Sequence, residues 1–258
     1  YEVRYRNYLS GKEERIQAEH LILAAGALNT LRLLLRSRDI KGGLTGMPRL
    51  GQKFSGNGDF FGVWKENSAA DLSKGMPIAS PFRLKDSTNE RVIVLRASIQ
   101  GLDDIPVPSF LKRWLRKQSV IIAFGGDDSN GSVTTRGGKF KINYSKKENS
   151  IYADIDDELK NIKDRTKTKI YAPRNPVTVH PMGGACLGTS NADGVVGADG
   201  EVFEHPGLYI ADSSALPASP GGAPSLTIAA WSANVADRLI KKLEESDAAA
   251  VKEQQAVA

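Results

Sequence analysis

Residues 180–188 read HPMGGACLG, and residues 207–239 read GLYIADSSALPASPGGAPSLTIAAWSANVADRL. The first stretch is a histidine opening a glycine-rich loop. The second is a short apolar strand ending at Asp212, then a small-residue turn, then a helix entered through Pro220-Gly221-Gly222-Ala223-Pro224. A strand that passes through small residues into a helix leaves unpaired N–H groups at the helix start, and these suit an anionic group. Pro224 fits the first helical position, where its missing N–H has no intrahelical partner to lose. Gly221 and Gly222 permit a backbone approach that a side chain would block. The purely structural alternative is a turn-capped helix that packs Leu226, Ile228, Ala229, Ile240 and Leu243 into a core. The two readings are compatible, because a helix must pack in order to aim its end.

Working backward, His20–Ser37 (HLILAAGALNTLRLLLRS) predicts a strand, the small-residue turn Ala24-Ala25-Gly26-Ala27, and a helix from near Asn29 with Leu31, Leu34 and Leu35 on one face. Strand, small turn and helix in this order occur in many α/β proteins and serve packing or cofactor contact equally well. The preceding run YEVRYRNYLSGKEERIQAEHLIL reads as a short β-meander. Leu50–Gly62 (LGQKFSGNGDFFG) places Asn57 and Asp59 at an Asn-Gly turn signal, with both as candidates for the substrate side. Strand-like runs at Arg91–Ile99, Ser119–Phe124, Ser132–Thr135 and Lys139–Tyr144 are separated by Gly/Asp/Asn turns and predict an antiparallel sheet. A charged helix is expected over Asp154–Thr168, and the last helix is expected to end near Glu245 before a flexible Ala/Glu/Gln tail.

Composition narrows the function classes. At 258 residues and 40% hydrophobic content the chain can bury a sizeable core. The net charge of +5 is spread among acids rather than gathered with aromatics on one face, which argues against nucleic-acid binding. One cysteine, Cys186, excludes an internal disulfide, and three histidines far apart give no metal-ligand spacing. His20 in a strand lead-in and His205 in a Glu-His-Pro turn read as surface residues. Phe110–Lys117 (FLKRWLRK) sets Phe110, Leu111, Trp114 and Leu115 against four cations at helical spacing, a pattern compatible with docking on an anionic lipid surface or with a solvated helix covering its own core.

Taken together, the residues from His180 to Leu239 resemble the C-terminal signature of the glucose-methanol-choline (GMC) family of flavin-dependent alcohol oxidoreductases, and most closely its cholesterol oxidase-like branch. Residues 20–37 resemble the family's second flavin-domain motif. Leu50–Gly62 and Ile121–Tyr144 resemble the substrate-domain strands of the sterol-oxidising branch.

The resemblance implies FAD as cofactor and oxidation of an alcohol to a carbonyl, with hydride passing to flavin N5 and His180 acting as base. A neutral imidazole suits that role because it titrates near the operating pH. It further implies that Ala25, Gly26, Asp212, Ser213, Ala223, Pro224, Ser225 and Leu226 contact the flavin, that Asn57 lies on the substrate side, and that the substrate is bulky and apolar, as a sterol is. The implied fold is an α/β flavin-binding (Rossmann-like FAD) domain, incomplete, with an inserted antiparallel-sheet α+β substrate domain. Residues 1–58 and 173–245 would form the flavin part, 59–172 the inserted domain, and 246–258 a tail.

Two departures from the family pattern stand out. Ala223 occupies a position where the family carries Asn or His, so either a contact to the substrate hydroxyl is lost or room is made for a larger alcohol. No Gly-x-Gly-x-x-Gly turn occurs, and the chain opens at Tyr1, which implies a C-terminal portion partnered by a missing N-terminal dinucleotide-binding segment. A same-fold dehydrogenase that uses an acceptor other than oxygen, and a non-catalytic flavin-fold or lipid-binding protein, remain the alternatives.

Overall fold

A computed structural model describes residues 1–66, 68–82 and 90–257. The chain opens with an antiparallel hairpin of β1 (Glu2–Arg6) and β2 (Glu13–Gln17). The expected meander stops there. Strand β3 (Leu21–Leu23) leaves the hairpin and pairs in parallel with β13 (Leu208–Ile210), 187 residues later in register Leu21↔Leu208. The apolar run of β3 is therefore satisfied by a distant partner rather than by its neighbour. Helix α1 (Ala27–Asp39) follows, two residues earlier than the sequence suggests, because Gly26 at φ 77 turns the chain directly into it. It buries Thr30, Leu31, Leu34 and Leu35 and carries Arg36 and Arg38 in its last turn, where cations favour the helix dipole.

Two antiparallel sheets make up the middle of the molecule. In the first, β4 (Gln52–Ser55) pairs with β9 (Gly131–Arg136) on one side and β12 (Met182–Gly184) on the other, and β10 (Lys139–Asn143) completes the order β10-β9-β4-β12. In the second, β5 (Phe60–Lys65) and β8 (Ser119–Phe124) are flanked by β11 (Lys169–Tyr171) and by β7 (Ile93–Ala97) and β6 (Ile78–Phe82), in the order β11-β5-β8-β7-β6. Period-two alternation sends Ser119, Ile121 and Ala123 of β8 to the covered face. Helix α3 (Ile151–Thr166) lies there, packing Ile151, Tyr152, Ile155, Leu159 and Ile162 against Phe60, Val94, Ile121 and Ala123. It starts three residues before Asp154 because the Asp128 carboxylate receives the Ser150 N–H at 2.8 Å and holds the entry. The short helix α2 (Ser109–Leu115) leaves Phe110 and Trp114 exposed.

The second core joins α1 to the first sheet and to β13. Leu31, Leu34 and Leu35 meet Phe54, Val133, Ala185, Leu208 and Ile210. Burying each of these leucines contributes about 1.5–3 kcal/mol. Helix α4 (Ser225–Val257) runs on past Glu245, since Asp247–Val257 contains neither Gly nor Pro and is rich in helix-forming Ala, Glu, Lys and Gln. Its packing face differs from the expected one. Val235 and Leu239 are buried against Tyr209, with Trp231 beside them, whereas Leu226, Ile240 and Leu243 are exposed. Among the described residues, no helix is long and apolar enough to cross a membrane.

Both glycines of the HPMGG loop have a packing reason. Gly183 has φ 75 and Gly184 φ 92. A Cβ on Gly183 would lie 2.1 Å from the Lys53 carbonyl oxygen, and one on Gly184 would lie 2.6 Å from Leu31 Cδ1. These residues let β12 press between β4 and α1, which fixes where His180 emerges. Gly183→Ala is expected to lower unfolding stability by at least the ~1–3 kcal/mol of a strained backbone, with the clash adding to it. Gly137→Ala has a similar positive φ of 57 but open space around it, so it should cost less. Equal shifts of the urea midpoint for the two variants would show that the contact with Lys53 is unimportant.

Candidate functional site

The site begins at the turn Gly56-Asn57-Gly58-Asp59 between β4 and β5. Asn57 and Gly58 both sit at φ 58, a left-handed pair that reverses the chain and turns the Asp59 side chain inward. Asp59 is 1% exposed, and burial of a carboxylate demands donors. Segment 178–180 supplies them. Thr178 Oγ1 and the Val179 N–H donate to Asp59 Oδ2 at 2.8 and 2.9 Å, and His180 Nδ1 lies 3.0 Å from each carboxylate oxygen. The His180 N–H donates to Thr178 Oγ1 at 2.8 Å, so the loop closes on itself around the acid. Phe124 meets the imidazole edge-to-face at 6.1 Å between centroids. The His180 side chain is 24% exposed, which leaves part of the ring open to the surface.

Asn57 is fully buried and ties this centre to the entry of α4. Its Nδ2 donates to the Gly222 carbonyl at 3.1 Å and reaches Asp59 Oδ1 at 3.4 Å, while its Oδ1 accepts from Ser219 Oγ at 2.7 Å. His180 and the residue before Ala223 are thus joined through Asp59 and Asn57. Behind the turn, Asp127 accepts from Ser55 Oγ at 2.7 Å, from the Gly56 N–H at 3.0 Å and from Tyr144 OH at 2.7 Å. Tyr144 and Tyr152 hydroxyls are 3.1 Å apart, and Tyr152 OH donates to the Asp59 carbonyl at 3.3 Å. Burial pushes the Tyr152 phenol up to about 12 and the Tyr144 phenol higher still, so both keep their protons and serve as donors at neutral pH.

A second group lies where β3 and β13 end. Asp212 is buried and accepts from the Gly26 N–H at 3.0 Å, from Thr30 Oγ1 at 2.5 Å, and from Ser214 N and Oγ at 2.8 and 2.6 Å. Its carboxylate is used within the protein, clasping the start of α1 to the end of β13. Ser213 Oγ donates to the Pro181 carbonyl at 3.1 Å and links this group to the His180 loop. Around Gly26 and Gly222 no atom lies within 4 Å of a Cβ position, so the backbone there is open. Trp231 Nε1 and Ser232 Oγ donate to the Ile210 and Ala211 carbonyls at 3.0 and 2.7 Å, anchoring α4 on β13. At its tip Pro224 is buried while Ala223, Ser225 and Leu226 are exposed, Leu226 by 81%.

The structure therefore joins His180, Asn57 and the Gly222–Ala223 entry in one hydrogen-bonded set. Ala25, Gly26, Asp212 and Ser213 form another, joined to it at Pro181. His20 is exposed, and His205 Nε2 meets the Thr45 carbonyl at 2.5 Å. Sequence reasoning singled out Asn57 and noticed Asp59, but it missed Asp127, Ser219, Tyr144 and Tyr152. Asp127 lies in a Gly-Gly-Asp-Asp run that reads as an ordinary turn, and nothing local betrays the segments it collects.

Residues 129–232 match the family model described as GMC oxidoreductase. The chain is 25% identical over 278 residues to cholesterol oxidase of Mycobacterium tuberculosis strain H37Rv, covering 88% of this chain and 48% of that protein. It is 46% identical over 55 residues to cholesterol oxidase of Acinetobacter baumannii, covering 21% and 10%. The chain thus spans about half the length of the first of these relatives. Among solved structures, formate oxidase superposes with a TM-score of 0.63 at 14% identity, covering 92% of this chain and 56% of that one. Pyridoxine 4-oxidase from Mesorbium loti superposes with a TM-score of 0.53 at 15% identity, covering 88% and 52%. The chain shares the fold of the corresponding part of these oxidases, and its residues 129–232 match the GMC oxidoreductase family model.

Proposed function

We propose that this chain belongs to an FAD-dependent oxidoreductase that converts an alcohol to a carbonyl, with His180 as the base and a bulky, apolar alcohol as substrate. The observation that carries the reading is the half-open imidazole of His180 backed by the buried Asp59 carboxylate and linked through Asn57 to the entry of α4. The family match and the oxidase relatives agree with it. In this reading residues 1–58 and 173–245 serve the flavin and 59–172 the substrate.

The residues present fit a flavin. Gly26 and Gly222 offer open backbone where a flat ring system can approach, and Ala223, Ser225 and Leu226 are exposed beside Gly222. Ala25, Gly26, Ser213, Ala223, Pro224, Ser225 and Leu226 would hold it, with Asp212 keeping the cradle in shape from within. FAD, when bound, supplies the two-electron acceptor for the hydride. The first N–H groups of α4 present positive potential to an anionic flavin edge.

His180 accepts the hydroxyl proton at Nε2 as the substrate C–H bond breaks, so the alcohol loses a proton to the protein and a hydride to the acceptor. Val177 and Val179, which precede His180 in the chain, are exposed by 46% and 62% and add apolar surface to this segment, which suits a hydrocarbon-rich alcohol. The exposed Ala223 then reads as room made for a large substrate rather than as a lost contact.

In the flavin-loaded holoenzyme, His180→Ala is expected to slow anaerobic flavin reduction by alcohol about 10²–10⁴-fold while flavin absorbance is retained. Reduction at the wild-type rate with flavin still bound would remove His180 from this role. Oxygen uptake during turnover tells an oxidase from a dehydrogenase of the same fold. Ala223→Asn should slow stopped-flow reduction by sterol-sized alcohols more than reduction by small ones. A faster reaction with every alcohol would instead restore the lost-contact reading.

A further inference from the structure

We propose that Asp59 is the positioning residue of the site, holding His180 in the tautomer with its proton on Nδ1 so that Nε2 is the free acceptor. This deepens the proposed role of His180 and rests on it only where catalysis is concerned. A carboxylate can only accept, and both of its oxygens lie 3.0 Å from Nδ1, so the nitrogen facing them must donate. The acid cannot swing away. Thr178 Oγ1 and the Val179 N–H hold Oδ2, Asn57 Nδ2 faces Oδ1, and the side chain is walled from solvent. The ring meets Phe124 edge-to-face, and the His180 backbone N–H, bonded to Thr178 Oγ1, fixes the loop that carries it. Which nitrogen of a histidine is free is decided by the hydrogen bond made by the other.

The arrangement predicts an unusual response to the mildest substitution. Asp59→Asn keeps the shape but must place its amide oxygen at the Oδ2 position, where two firm donors, Thr178 Oγ1 and the Val179 N–H, need an acceptor. The amide NH2 then faces His180 Nδ1, which becomes an acceptor, and the ring proton moves to Nε2. The base atom would be capped by a proton although no side chain has been lost.

The test is long-range 1H–15N correlation of 15N-histidine in the full 258-residue chain, recorded where the ring is neutral, with the three histidines assigned by substitution. The expected wild-type signature is a protonated Nδ1 and a bare Nε2 on His180. Asp59→Asn should exchange the two, with His20 and His205 unmoved. Thr178→Val should leave the His180 pattern as in wild type, because Asp59 remains. In the flavin-loaded holoenzyme Asp59→Asn should lower the limiting rate of flavin reduction by about 10²–10⁴-fold with little change in KM.

A wild-type His180 protonated on Nε2 overturns the proposal, as does a folded Asp59→Asn variant that keeps the wild-type pattern or a Thr178→Val variant that switches it. Should Asp59→Asn fail to fold, the wild-type and Thr178→Val spectra still decide. If the tautomers behave as expected but His180→Ala reduces its flavin normally, the catalytic reading falls and the positioning of the ring stands.

Discussion

A carboxylate taken out of water must find donors or cost several kcal/mol, and at Asp59 that requirement organises everything nearby. Its acceptors oblige residues 178–180 to run across the turn between β4 and β5, although 119 residues of chain separate Thr178 from Asp59. The turn itself is held by Asp127, which draws the adjacent Ser55 and Gly56 together with the distant Tyr144. Asn57, at its crest, spends both ends of its amide on the segment that leads into α4. The imidazole is thus one member of a polar cluster, and its orientation follows from the buried Asp59 and Asn57 behind it.

The same device recurs in the other half of the molecule. Asp212 gathers donors from Gly26, Thr30 and Ser214 and so makes the parallel pair β3–β13 and the start of α1 one unit. Between the two acids lies β12, thin enough through Gly183 and Gly184 to fit against β4 and Leu31. The two polar clusters are held at a fixed separation by a strand that any larger residues would push apart. A hydrophobic core would tolerate small shifts in such a spacing, whereas hydrogen bonds to buried acids do not.

What could be read from the chain alone was what is local. The turn into α1 after Gly26, the start of α4 at Pro224-Ser225, and β8 at Ser119–Phe124 depend on neighbours in sequence, and they lie where the residues suggested or within two positions of it. Of the candidate site, His180, the Gly-Gly-Ala-Pro turn and the Asn57/Asp59 turn could be picked out from the residues, but not the bonds that join them. Asp59 and Asp127 look like turn residues until distant segments are laid upon them. The face of α4 was misjudged for a related reason. Leu226, Ile240 and Leu243 have the composition of a core, but Trp231 and Ser232 bond to the carbonyls of β13 and fix the rotation of the helix, which brings Val235 and Leu239 inward instead.

Strand β3 has a consequence of its own. Parallel strands are ordinarily covered on both faces, yet β3 pairs only with β13 among the described residues and leaves Ile22 48% exposed. An open strand edge is a template for further pairing, the usual starting point of aggregation. Here the edge is three residues long and follows directly on the charged hairpin of β1 and β2. So short an edge offers few backbone groups on which another chain could stack.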